Sequence, residues 1–149
     1  MSEFRYVMAV NLEGVFALSQ LVGRKKIEAG HGSIISITSV LGLLGSGKIP
    51  QASYVASKAD VVNLTGELAA QWSSRGARVN ALAPGWFLSE MTSEMFSSQR
   101  RIDWIGRHTP IGRPGRLSEL DGPTLLLASD AGSYTTGETI VVDEGWSIN

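Results

Sequence analysis

The stretch Ser33 to Lys58, SIISITSVLGLLGSGKIPQASYVASK, decides the fold. Its first eight residues, Ser33 to Val40, form a β-branched run that stops at the glycine-rich segment Leu41 to Gln51, the pattern of a buried strand entering a loop. From Tyr54 to Arg75, Val55, Ala59, Val62, Leu68 and Trp72 recur at helical spacing and Gly76 supplies the stop. Arg78 to Ala83, RVNALA, reads as a second strand ended by Pro84-Gly85. Upstream, Phe4, Val7, Met8, Leu12, Val15, Phe16, Leu21 and Val22 fall three and four apart, so Glu3 to Glu28 is expected to be helical. Downstream, the polar, Met-rich stretch Ser89 to Arg113 is expected to hold a short helix over Glu94 to Ile105. A further helix ends near Ala128, and Thr139 to Val142 is the third strand.

Strands alternating with helices define an α/β chain with a parallel sheet. At 149 residues, without linker or repeat, residues 1–149 form one domain. Three strands leave two bare sheet edges, so the complete protein is expected to have more chain or a partner beside them. Thirteen basic against 14 acidic residues give a net charge of −1, which points to neither nucleic acid nor an anionic membrane. No cysteine and two histidines, His31 and His108, exclude a disulfide framework, a cysteine nucleophile and a Cys/His zinc site. Glu3 and Arg5 stand where a signal peptide is apolar, and no run of ~20 apolar residues is evident. The expectation is a soluble, cytoplasmic chain with no membrane partner and no metal.

Tyr54 and Lys58 are four apart, so phenol and ammonium share a helix face. A cation there favours phenolate, and the spacing predicts a phenol pKa drawn down toward neutrality, usable for proton transfer. Ser39 ends its strand, where open α/β sheets place ligands, and its hydroxyl can hold a carbonyl oxygen beside the phenol. Asn11, polar in an apolar helical pattern, is a third candidate.

At these residues the chain resembles the short-chain dehydrogenase/reductase family. The resemblance runs from about Val7 to the C-terminus through VNLEGVF, GSIISITSVLG, YVASK, RVNALAPGWFLSEMT and PIGRPGRLSEL with LLLASDAGSYTTGETIVVDEGW. It implies part of a doubly wound, Rossmann-like sheet, three strands from the C-terminal half of that fold. It also implies hydride transfer between NAD or NADP and a small alcohol or carbonyl substrate. Asn11, Ser39, Tyr54 and Lys58 would be catalytic: Tyr54 the proton donor, Ser39 the carbonyl-polarising hydroxyl, Lys58 the cation, Asn11 the holder of a relay water. Tyr54, Lys58, Pro84, Gly85, Phe87 and Ser89 would face the cofactor, Ser89 in place of the usual threonine. Ser39, Trp86, Met91 and Met95, with Phe96 and Trp104, would face substrate. The helices Glu3 to Glu28 and Tyr54 to Arg75 correspond to those through which the family associates, implying a homo-oligomer, a dimer or tetramer.

The departures are specific. No G-x-G-x-x-G occurs, so the expectation is a chain without the pyrophosphate-cradling half, with little or no turnover on its own. Glu144 replaces a usual glycine, and Gly122-Pro123 falls within a usual helix. Two other function classes compete. A non-catalytic remnant would serve as an oligomerisation or interaction module. A nucleotide hydrolase would read Gly42, Gly47 and Lys48 as a P-loop with Asp143 assisting magnesium, but Ile49 stands where a metal-binding hydroxyl is required.

Overall fold

In a computed structural model, residues 1–45, 47 and 50–148 are described. Lys48 and Ile49, on which the P-loop reading turns, lie outside the described residues. Three strands, β1 (Gly32–Ile37), β2 (Ala77–Pro84) and β3 (Thr139–Val142), form one parallel sheet in the order β1-β2-β3. Gly32 pairs with Ala77 and Ile37 with Leu82, while Ala81 pairs with Thr139 and Pro84 with Val142. The central strand is apolar along nearly its whole length because neighbours and helices enclose it, and Ala77, Val79, Ala81, Leu82 and Ala83 are buried. Helix α3 (Ala52–Trp72) packs on it, with Leu68 and Ala69 against Val79 and with Ile34, Leu64 and Trp72 completing the cluster. Fully burying side chains of this size contributes about 1.5–3 kcal/mol each, so the contact of α3 with β2 is what fixes the helix that carries Tyr54 and Lys58.

The first helical run is continuous from Ser2 to Ala29 but changes pitch. Helices α1 (Ser2–Met8) and α2 (Gly14–Ala29) are joined by a π-helical turn, Ala9–Glu13. This run is 28 residues long with a window of mean hydropathy 1.3, long and apolar enough by composition to cross a membrane. That corrects the expectation of no such stretch. The run nevertheless packs on α3: Gly23 lies so close to the Trp72 ring that a Cβ would come within 2.5 Å of it. Its outer side chains Tyr6, Val10, Leu18 and Leu21 are exposed.

Two segments depart from expectation for local reasons. The helix expected over Glu94 to Ile105 is divided into a 3₁₀ turn, Ser93–Phe96, and α4 (Gln99–Arg107). Ser98, in extended conformation, separates them and precedes α4 without a side-chain cap. Gly122-Pro123 does not break α5 (Asp121–Ala128): Pro123 falls in the first turn, where no backbone N–H is needed for an intrahelical bond.

Candidate active site

Beyond the carboxyl end of β1 the chain leaves the sheet through Thr38 and Ser39. The Thr38 N–H donates to the Leu82 carbonyl at 2.8 Å. Ser39, extended and buried, caps the 3₁₀ turn Val40–Gly42 by accepting from the Leu41 N–H at 3.2 Å. That turn lies on α3: a Cβ on Gly42 would sit 2.7 Å from the Lys58 carbonyl oxygen, so glycine lets strand end and helix meet. Thr38 Oγ1 donates to the same carbonyl at 2.6 Å.

This junction brings three of the expected residues together. The Ser39 hydroxyl lies beside the Tyr54 phenol, placed to favour its ionised form. Lys58 Nζ lies 5.6 Å from the Tyr54 ring centroid and donates to the Ile37 carbonyl at 2.9 Å. Asn11 joins from the π-helical turn, where Nδ2 donates to Ser57 Oγ at 3.1 Å and Ser57 Oγ donates to the Tyr54 carbonyl at 2.8 Å. Asn11 is thus tied directly to Ser57, the residue preceding Lys58 and one that sequence reading did not single out. Only the fold shows that Ser57 is fully enclosed, so the sequence carries no signal that marks it.

The electrostatics correct one expectation. Burial pushes the Tyr54 phenol above its ordinary value, and the Ser39 hydroxyl, acting the other way, does not offset it. Burial also lowers the Lys58 ammonium. The spacing of the pair predicted a net lowering of the phenol. Desolvation outweighs it because both groups lie partly inside the protein and the ammonium is engaged with Ile37.

The remaining candidates are more dispersed. Pro84 ends β2, and Gly85 follows it with its N–H donating to Val142 at 2.9 Å. Phe87 is buried and forms a parallel bridge with Gly115. Trp86 packs edge-on against Trp104 at 6.0 Å and Trp146 at 6.4 Å, and Trp104 stacks on His108 at 4.3 Å. His108 is thus part of an aromatic cluster. Ser89 directs its hydroxyl to Thr92 at 3.0 Å, closing a turn. Met91 stands on the surface and Met95 is half-buried. Asp143 accepts from the Gly145 and Ser147 N–H groups at 2.9 and 2.7 Å, so its oxygens cap a turn. Among the described residues no group of acidic and histidine side chains is placed to hold a metal.

A parallel α/β sheet with a Ser, Tyr and Lys group gathered beyond the carboxyl end of β1 defines the class: a Rossmann-type fold. A family model described as enoyl-(acyl carrier protein) reductase matches residues 1–147, and the chain belongs to the short-chain dehydrogenase/reductase family. Galactitol 2-dehydrogenase (L-tagatose-forming) of Cereibacter sphaeroides is 42% identical over 146 residues, 97% of this chain and 57% of that protein. Gluconate 5-dehydrogenase of Gluconobacter oxydans is 38% identical over 143 residues, 96% of this chain and 55% of that one. A crystal structure of a gluconate 5-dehydrogenase from Burkholderia cenocepacia in complex with NADP and tartrate superposes with a TM-score of 0.94 at 38% identity, covering 99% of this chain and 57% of that one. The chain therefore spans a little over half the length of the relatives it matches.

Proposed function

We propose that this chain carries the proton-transfer group of an NAD(P)-dependent oxidoreductase that interconverts a secondary alcohol of a polyol or sugar acid and its ketone. The observation that carries the reading is the junction itself: the Ser39 hydroxyl on the Tyr54 phenol, with Lys58 Nζ beside the ring and anchored to Ile37. The relatives' names, a galactitol and a gluconate dehydrogenase, support the substrate class.

The donor set fits a nicotinamide nucleotide. A phenol and an ammonium one helical turn apart suit the vicinal hydroxyls of a ribose, so Tyr54 and Lys58 would hold that sugar, with the Pro84-Gly85 backbone beside the ring. The bound cofactor supplies or accepts the hydride. The Ser39 hydroxyl orients and polarises the substrate carbonyl. Tyr54 Oη gives its proton to the oxygen as negative charge develops there, and its raised pKa keeps it protonated at neutral pH, the form that carbonyl reduction needs. Asn11, held by Ser57, steadies the neighbouring turn of α3 that bears Lys58.

The sequence contains no G-x-G-x-x-G, so the 149 residues alone are expected to bind the dinucleotide weakly and turn over slowly. Thermal melting with millimolar NADH, NADPH or magnesium ATP tests the reading. The nicotinamide nucleotides should raise the melting temperature, and Lys58→Ala should abolish the rise. A response to magnesium ATP alone, or none to either nicotinamide nucleotide, overturns the proposal. Whatever reductase rate the chain shows should fall about 10²–10⁴-fold in Tyr54→Phe, the usual worth of a positioned general acid. A rate unchanged by that substitution removes Tyr54 from the chemistry.

The exposed apolar residues on α2 and the groove of about 530 Å³ between α2 and α3 support a further part of the proposal, that the chain self-associates as a dimer or tetramer.

A further inference from the structure

Glu144 stands in a backbone conformation that suits glycine. Its φ of 56° is the only positive value at a non-glycine among the described residues. The carboxyl is turned inward, with Oε2 shielded from solvent and without a hydrogen-bond partner among the described residues, while Oε1 packs on Gly115 where a Cβ there would project. The cation nearby is Arg113, and it is engaged by another carboxylate: Nη2 reaches Glu119 Oε1 at 2.6 Å, and Nη1 reaches Glu119 Oε2 at 2.9 Å and the Pro114 carbonyl at 3.0 Å. Arg116 closes on Glu119 as well, through its N–H at 2.8 Å and Nη2 at 2.9 Å. On the other flank, Asp143 is held by its own turn.

A charged Glu144 would therefore have at Oε2 neither water nor a donor among the described residues, and two neighbouring carboxylates, Glu119 and Asp143, against the attraction of Arg113. A proton is the cheapest way to satisfy it. The surroundings connect it to the aromatic cluster. Gly115, on which the carboxyl rests, pairs with Phe87, and Trp146, two residues beyond Glu144, packs on Trp86. The Ile111 N–H reaches the Glu144 carbonyl at 3.5 Å, a long contact from the same loop.

We propose that Glu144 is a positioning residue: protonated, its carboxyl docks the C-terminal turn, Asp143 to Ile148, onto the segments around Phe87 and Arg113 to Glu119, and deprotonation loosens that dock and the tryptophan cluster beside it. Its bearing on the substrate side of the crevice rests on the function proposed above. The docking itself does not, and it is read without turnover. Burial first, then Glu119, pushes the carboxyl up to about 7, so the dock loosens as pH rises through neutrality. For stability the sign follows from a raised acid. The contribution is complete below the ordinary 4.5 and is lost as pH climbs through about 7.

The test is near-ultraviolet circular dichroism of the 149-residue chain between about pH 5 and 9, in a His108→Gln background that removes the imidazole stacked on Trp104 as a source of signal. The parent should lose tryptophan ellipticity in one step centred near about 7. Glu144→Gln, a permanent stand-in for the protonated carboxyl, should hold the low-pH spectrum throughout. Glu144→Gly, which removes both the carboxyl and the backbone strain, should fold and show no step. The melting temperature of the parent should fall by a few degrees more than that of Glu144→Gln between about pH 5.5 and 8. A step of the same midpoint in either variant, or no step in the parent, overturns the proposal.

Discussion

Tyr54 shows what a residue's neighbours decide. The i,i+4 spacing with Lys58 was legible in the sequence and correctly placed the ammonium beside the ring, at 5.6 Å from its centroid. The direction of the phenol's shift was not legible, because burial is a property of the packed junction and here it outweighs what opposes it. Ser39 is the group that opposes burial, since its hydroxyl stabilises the ionised phenol. Ser39→Ala should therefore move the Tyr54 titration further up, followed by ultraviolet difference absorbance with Tyr54→Phe as the subtraction that isolates this one of the chain's 3 tyrosines. A Tyr54 titration that stays in place, or moves down, would show that Ser39 does not hold the phenol. Glu144 is the complementary case. Its replacement of glycine was visible in the sequence, but that its Oε2 is sealed without a partner depends on Arg113 being taken by Glu119.

At the scale of elements, the hydrophobic spacing located strands and helices well and their ends less well. The third strand was expected over Thr139 to Val142 and lies there. The helix expected from Tyr54 begins at Ala52, and its last turn tightens to a 3₁₀ turn, Ser73–Arg75, before Gly76. The π-helical turn at Ala9–Glu13 leaves no trace in a pattern of threes and fours, although it is what carries Asn11 to Ser57. Asn80 lies inside RVNALA, in β2. Folded, it is fully enclosed and serves as a clamp: Nδ2 donates to the Thr135 carbonyl and Oδ1 accepts from the Glu138 N–H, each at 3.0 Å, tying the approach to β3 onto β2. Asn80→Ala leaves the Glu138 N–H unpaired and the Thr135 carbonyl with the Arg78 Nη1 bond at 3.3 Å, so urea unfolding should show a loss of about 1–3 kcal/mol with the slope unchanged. A loss under about 0.5 kcal/mol would mean that water replaces the amide and that the clamp is dispensable.

For the whole molecule the telling feature is apolar surface with an ordered geometry. Phe16, Leu18 and Leu21 along α2 are 41%, 62% and 64% exposed. Phe16 also lines the groove that α2 forms with Leu64, Leu68 and Trp72 of α3. Gln20, Arg24, Glu67 and Arg75 rim the same groove, the arrangement of an apolar floor with a polar margin that marks association surfaces. The sequence showed the two helices and their apolar residues, but periodicity alone could not say which of those residues face the sheet and which face outward. Removing such side chains from water is worth about 25 cal/mol per Å², so covering this face is favourable, and the self-association proposed above would cover it. Static light scattering at micromolar concentration should accordingly report a dimer or tetramer. Phe16→Glu, which puts a charge into the groove without touching Ser39, Tyr54 or Lys58, should shift the population toward monomer while the far-ultraviolet spectrum stays the same. A monodisperse monomer in the unsubstituted chain would remove self-association from the proposed function, and an oligomer indifferent to Phe16→Glu would place the interface on another face.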